Sequence, residues 1–319
     1  MTETNVQVKK QQMSTAKIWV LELRAPFFTA AVLPVLIAAT YVYWKIGAFD
    51  LGLLLLTLAG TVSLHAGTNM INDYFDYKNG GDARNQARTP FNGGSPFLIQ
   101  GILKAKQVLA ASLIAFALGG LIGLYLSLII SIWIFPIGIV GGLLGMLYVA
   151  PKINLAGRGV GEIAVGLGFG PLMVLGACVV FTGQLDALQF LVGVPIGILI
   201  LLVLYINQFP DMDADASVGK NHWVVRAGRR KARGGYPAML GIAYGFVLLS
   251  IALGWMPLHA AIFLVTIPIA VKASKIVWSR YDDLPALIPA QALTIQIHML
   301  GGLLLTFGFL LAAFLPIGL

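Results

Sequence analysis

Two acidic clusters hold most of the side chains in this sequence that could do chemistry. Asn72, Asp73 and Asp76, with Asp82 beyond them, stand where a long apolar run meets a charged loop. Asn207, Asp211, Asp213 and Asp215 repeat the arrangement later in the chain. In each cluster an Asn precedes an Asp by four residues, so on a helix both side chains share one face. Carboxylates at a membrane boundary are costly unless they are partnered. Two such clusters at matching depth most economically imply a shared divalent cation site, and with it a diphosphate ligand. Mg²⁺ suits them, because it takes one or two carboxylates and leaves its other positions to water and phosphate oxygens. Arg84, Arg88, Lys152, Arg158, Lys220 and Arg226 are the candidate cations to complete the clamp on the anion.

Helices must position these groups. His65, Asn69, Asn72 and Asp76 recur at helical spacing, and so do Asn207, Asp211 and Asp215, with Tyr205 and Gln208 beside them. Taken alone, His65 reads best as a helix-to-helix hydrogen bond. A whole stripe ending in acid reads as the wall of a water-accessible cavity. The composition is that of an integral membrane protein, with 58% hydrophobic and 11% charged residues and a mean hydropathy of +0.87. Apolar runs cover roughly 27–47, 51–71, 107–127, 129–149, 160–181, 187–208, 236–255, 258–278 and 293–317, each close to the ~20 residues that cross the hydrocarbon layer as a helix. The expected fold is therefore all-α, a polytopic bundle of nine transmembrane helices. Strands are unsuited, since alternation is missing and open edges are not tolerated in lipid.

Of the 21 Lys and Arg, all but Lys45 fall in segments that nine spans place on one side. The positive-inside rule then puts the N-terminus and both acidic clusters on the cytoplasmic side of the cell membrane and the C-terminus outside. That topology, with attraction to anionic membrane lipid, accounts for most of the net charge of +8. The sequence offers no soluble basic domain that would hold nucleic acid. Residues 1–20 are polar and read as a short, poorly ordered cytoplasmic extension. Residues 21–319 form one transmembrane domain, with related halves over about 27–150 and 160–278 and a ninth helix added. The single cysteine, Cys178, rules out an intramolecular disulfide.

Two loops carry smaller signals. Pro90-Phe91-Asn92-Gly93-Gly94-Ser95 offers backbone N–H groups to a phosphate, although a plain turn fits equally well. The stretch from Tyr148 to Glu162 places Lys152, Arg158 and Glu162 at the entrance to the fifth helix, with Glu162 expected to pair with Arg158.

On these motifs the chain resembles the UbiA superfamily of intramembrane aromatic prenyltransferases over nearly its whole length. The segment "GTNMINDYFDYKNGGDARN" is close to that family's N-D-x-x-D pattern with its further Asp. "NQFPDMDADASVGKNHWVVRAG" resembles its D-x-x-x-D motif followed by G-K and V-V-R-x-G. The resemblance implies a central cavity beneath a cytoplasmic cap, and Mg²⁺-dependent transfer of a polyprenyl chain from its diphosphate to an aromatic acceptor. It implies that Asp73, Asp76 and Asp82 hold one Mg²⁺ and that Asp211 and Asp215 hold a second. Asn72 and Asn207 would orient the diphosphate or a metal ligand, and Tyr148 or Tyr205 would stabilise an allylic cation. Catalysis is accordingly expected of Asn72, Asp76, Asn207 and Asp211.

Within the superfamily, "PFNGGSPFLIQGIL", "RGVGEIAVGLGFGPLMVLG" and "LRAPFFTAAVLPVLIA" are most similar to the 1,4-dihydroxy-2-naphthoate polyprenyltransferases of menaquinone synthesis. That likeness implies a naphthoate acceptor whose carboxylate leaves as CO₂, met by Lys152 or Arg158. Gln208 and His222-Trp223 depart from the subgroup. Other ring acceptors, 4-hydroxybenzoate among them, belong to the same superfamily. A secondary transporter is the reading from another class, but its site should lie mid-membrane, whereas these acids lie at one face.

Overall fold

The computed structural model describes residues 13–316 apart from 86 and 93, and describes only the backbone of 82 and 83. Every regular element among the described residues is a helix. Apart from single turns at Gly81–Arg84 and Ala156–Arg158, these are in chain order α1 (Thr15–Glu22), α2 (Ala25–Ile46), α3 (Leu51–Asn79), α4 (Ala105–Ile129), α5 (Ile134–Leu147) and α6 (Gly161–Thr182). Then follow α7 (Ala187–Ser217), α8 (Trp223–Ala227), α9 (Arg229–Ala252), α10 (Leu258–Arg280) and α11 (Leu284–Phe314). Among the described residues, eight of these are long and apolar enough to cross a membrane: α2, α3, α4, α6, α7, α9, α10 and α11.

The nine expected runs thus give eight long helices and one shorter one. The run at 129–149 supplies only the 14 residues of α5, about 21 Å at 1.5 Å per residue against a hydrocarbon core of ~30 Å. Two prolines set its length. Pro136 is tolerated only in a first turn, and Pro151 disfavours helix in the residue before it. The chain around α5 still joins the two ends of the bundle. The Ile130 carbonyl oxygen lies 3.8 Å from where a Cβ on Gly183 would sit, at the end of α6. Tyr148, past the other end of α5, reaches the acidic clusters described below.

Local chemistry fixes the other boundaries. Asp50 caps α3 by accepting from Leu53 N at 2.9 Å, and Gly47 and Gly80 end α2 and α3 at φ of 67° and 78°. Part of the segment read as a polar extension is ordered as α1, with Ile18 and Glu22 buried. Residues 1–12 lie outside the described ones.

The main core joins α2, α6, α7, α9, α10 and α11 around Ile37, Val174, Phe209, Tyr236, Phe263 and Phe309. α4 and α5 instead expose Leu113, Leu121, Leu128, Ile139 and Leu143, the surface a hydrocarbon solvent asks for. α6 and α7 touch backbone to backbone, since a Cβ on Gly170 would lie 2.3 Å from Gly197 Cα. Here α6 opens into a π turn, Gly168–Leu172, that accommodates Pro171.

Candidate active site

α3 and α7 deliver both acidic clusters to the same end of the bundle. Lys220, just past α7, holds them together: its Nζ lies 2.6 Å from Asp76 Oδ1 and 3.7 Å from Asp215 Oδ1. Burial works against the ammonium charge, yet Asp76 and Asp215 outweigh it and push the Lys220 pKa well above the usual lysine range. His222 Nε2 stands 3.3 Å from Asp215 Oδ2. Asn72 Nδ2 donates to Asp76 Oδ2 at 3.3 Å, and Asn79 Nδ2 lies 3.4 Å from Asp76 Oδ1. Asp211 Oδ1 accepts from Asn85 Nδ2 at 2.6 Å and from Asn92 Nδ2. Asn207 donates to the Phe91 carbonyl and accepts from Gln291 Nε2, both at 2.9 Å.

Asn72, Asp76, Asn207, Asp211, Asp215 and Lys220 line a pocket of about 240 Å³. It shares His65, Thr68, Val165 and Phe169 with an apolar pocket of about 160 Å³ that continues among α3, α4, α5 and α6. The His65 ring marks the junction, 4.6 Å from Phe169 and 5.5 Å from Phe28 in edge-on contacts. A charged chamber therefore adjoins an apolar slot across a shared wall. No group of three or more His, Cys, Asp or Glu among the described residues is placed to cage a metal ion. The donor set is paired carboxylates and amide oxygens, which matches a cation that keeps most of its positions for water and phosphate.

Residues 31–288 match the UbiA prenyltransferase family. This chain is a UbiA prenyltransferase. It is 27% identical over 322 residues to the 1,4-dihydroxy-2-naphthoate octaprenyltransferase of Bacillus subtilis, covering 98% of this chain and 100% of that one. With the 2-carboxy-1,4-naphthoquinone phytyltransferase of Synechocystis it shares 22% identity, over 97% and 98% of the two chains. Solved structures share the fold. A UbiA homolog from Aeropyrum pernix K1 superposes with a TM-score of 0.67 at 14% identity, over 89% of this chain and 97% of that one. One from Archaeoglobus fulgidus, bound to DMAPP and Mg²⁺, superposes at 0.64 and 16% identity, over 91% and 99%.

The UbiA chain brings together Asn72, Asp76, Tyr148, Asn207, Asp211, Asp215 and Lys220 of the residues expected from sequence. Others lie elsewhere. Asp73 is fully buried, pairs with Arg24 and accepts from Ser95 N at 3.3 Å, and it does not line the pocket. One residue is a 100° step around a helix, so Asp73 points away from the face that Asn72 and Asp76 share. The Asp82 side chain lies outside the described residues. Tyr205 donates to the Ala232 carbonyl at 2.6 Å inside the core. Arg84 reaches the Ser217 carbonyl at 3.0 Å, Arg158 that of Lys152 at 2.7 Å and Arg226 that of Asn221 at 2.6 Å. None of these, nor Arg88 or Lys152, is among the described lining residues.

Glu162 does not pair with Arg158. It is buried and accepts from Gln208 Nε2 at 3.0 Å and Trp223 N at 2.6 Å. Arg24, Asn85, Asn92 and His222 also line the pocket; Asn92 and His222 stood in segments that the sequence had marked, but none of the four side chains had been given a role. Asn85 closes the first quoted motif, and Asn92 lies in the loop that offered N–H groups to a phosphate. Arg24 had its place in the quoted "LRAPFFTAAVLPVLIA" and its position, a cation at the start of the first span.

Proposed function

We propose that this prenyltransferase transfers a polyprenyl group from its diphosphate to an aromatic acceptor, and that the acceptor is 1,4-dihydroxy-2-naphthoate, as in menaquinone synthesis. The observation that carries this is the junction at His65 and Phe169, where the carboxylate-lined pocket meets the apolar one. A ligand with a charged head and a long apolar tail fits the two in series. The Bacillus and Synechocystis relatives, whose names specify naphthalene-ring acceptors, support the choice of ring.

Asp76, Asp211 and Asp215, with Asn72 and Asn207, are the donors that would hold Mg²⁺. Bound there, Mg²⁺ supplies charge neutralisation to the leaving diphosphate. Asp73 is committed to Arg24, so it serves that set from behind. The Lys220 ammonium, already in the pocket, can turn from carboxylate to phosphate oxygens. Tyr148 and Phe169 wall the region where the allylic carbon gains positive charge as its C–O bond breaks, and aromatic faces favour such charge while excluding water. The electron-rich ring carbon that bears the carboxylate attacks the allylic carbon. The new C–C bond forms, and CO₂ leaves as its bonding electrons return to the ring.

The one-sided basic residues support a cytoplasmic N-terminus and pocket mouth, with α5 and its flanking turns making a further crossing. The functional test is purified protein with Mg²⁺, a polyprenyl diphosphate and a panel of aromatic acceptors. The expected result is prenylated naphthoquinol with matching CO₂ release. Product from 4-hydroxybenzoate but not from the naphthoate would overturn the acceptor. No transfer to any ring would overturn the whole reading.

A further inference from the structure

Gln208 lines the pocket at 5% exposure, yet its Oε1 has no hydrogen-bond partner among the described residues. An amide can in principle turn over, but this one is fixed by its neighbour. Glu162, buried at the entrance to α6, accepts from Trp223 N at 2.6 Å and from Gln208 Nε2 at 3.0 Å through the same oxygen. A carboxylate offers only acceptors, so the Gln208 NH₂ must face Glu162 and its carbonyl must be left over. A buried acceptor without a partner is unfavourable, because it has given up its hydrogen bond to water and gained none. A ligand that brings a donor removes that cost, and one without a donor does not.

We propose that Gln208 Oε1 accepts a hydrogen bond from a ring hydroxyl of the aromatic acceptor, and that Glu162 is the positioning residue that sets the amide's orientation. This rests on the prenyl transfer to a hydroxyarene proposed above. Gln208 precedes Asp211 by one helical turn on α7, so the hydroxyl is gripped one turn below the carboxylates that receive the diphosphate. The ring is thereby held beside the allylic carbon, and its hydroxyl shares electron density with the attacking ring through a polarised O–H bond. Discrimination follows from the unpartnered atom: a site built to bond a hydroxyl rejects the analogue that lacks it.

The test compares wild type, Gln208→Leu, Gln208→Asn and Glu162→Gln in detergent with Mg²⁺, using 1,4-dihydroxy-2-naphthoate and its two mono-O-methyl ethers. Gln208→Leu should raise KM for the dihydroxy acceptor about 10- to 100-fold and leave KM for the prenyl diphosphate within about twofold. Wild type should suffer a similar loss with one of the ethers, and Gln208→Leu should lose nothing further with that ether. Glu162→Gln can present its own NH₂ to Gln208 and let the amide turn over. Its preference should therefore shift toward the ether, a change that loosened packing would not produce. Gln208→Asn should recover part of the discrimination. Equal losses for both ethers in wild type and variant, or equal rises in both KM values, would overturn the proposal. If Glu162→Gln fails to fold, the Gln208 variants still decide. Wild type that prenylates no hydroxyarene would overturn the functional reading and take this inference with it. Active wild type without the Gln208 effect overturns this inference alone.

Discussion

At the end of α3, Asp73 faces Arg24 and Asp76 faces Lys220, so each carboxylate meets a side-chain cation. At the end of α7, Asp211 is held by the amides of Asn85 and Asn92, with no ion pair among the described residues. Amides fix where a carboxylate points without cancelling its charge. Asp211 is therefore oriented and still attractive to a cation, whereas Asp73 is spent on joining α3 to the start of α2. Asp76 and Asp215 lie between these extremes, sharing one ammonium that a divalent ion or a diphosphate can compete for.

The largest effect expected from this contrast is at Asp211. Asp211→Asn should lower turnover ~10²-fold or more while leaving thermal unfolding in detergent unchanged, because only a charge faced by amides is removed. Asp76→Asn should cost turnover on the same scale. Near-normal turnover of Asp211→Asn at saturating Mg²⁺ would erase the contrast.

Asp73→Asn should act on stability instead. Losing the carboxylate removes the charge-assisted contact that ties the fully buried Asp73 to Arg24, at a cost of about 1.5–3 kcal/mol, read as a fall in melting temperature. An Asp73→Asn protein that melts normally but turns over as poorly as Asp211→Asn would give Asp73 the role of a metal donor. A smaller effect belongs to Lys220. Lys220→Met should raise KM for the prenyl diphosphate about tenfold, as for one lost charge-assisted contact, and should enlarge the thermal shift produced by Mg²⁺ alone. An unchanged Mg²⁺ shift would mean that the ammonium does not occupy the cation's place.

The smallest effect is a pH dependence. Burial, helped by the nearby Asp73, raises the Glu22 carboxyl from 4.5 to about 7, against the opposing pull of Ser95 and Arg24. The folded chain then keeps a proton that the unfolded chain releases. This contribution to stability is complete below 4.5 and lost as pH rises through about 7. Glu22→Gln should accordingly raise the melting temperature at about pH 8 by a few degrees and leave it unchanged at about pH 4. A gain at both values would assign the effect to packing.

The helices were legible because apolar runs of membrane length have no competing reading, and the exception is instructive. Between 129 and 149 hydropathy promised a full span, but Pro136 and Pro151 cut the helix to 14 residues, a matter of backbone geometry that hydropathy ignores. The pocket-facing acids were legible for the same reason as the helices: Asn72 and Asp76, or Asn207, Asp211 and Asp215, lie on one face by spacing alone. Their partners were not legible. Asn85 and Asn92 meet Asp211, Arg24 meets Asp73, and Gln208 meets Glu162 across separations set by tertiary packing. The same limit explains the cations: Arg84, Arg158 and Arg226 had the right charge in the right loops, but each is taken up by a backbone carbonyl.

The apolar pocket below His65 is walled on one side by α6, locked against α7, and on the other by glycines of α4 and α5. At Gly123, Gly138 and Gly141 a Cβ would meet nothing within 4 Å among the described residues. These glycines leave room where any other residue would put a side chain, so they set the bore of the slot. If the prenyl tail lies there, a larger residue at any of the three would narrow its path. The bulk of tail that the enzyme accepts would then be governed by three side chains that α4 and α5 do without.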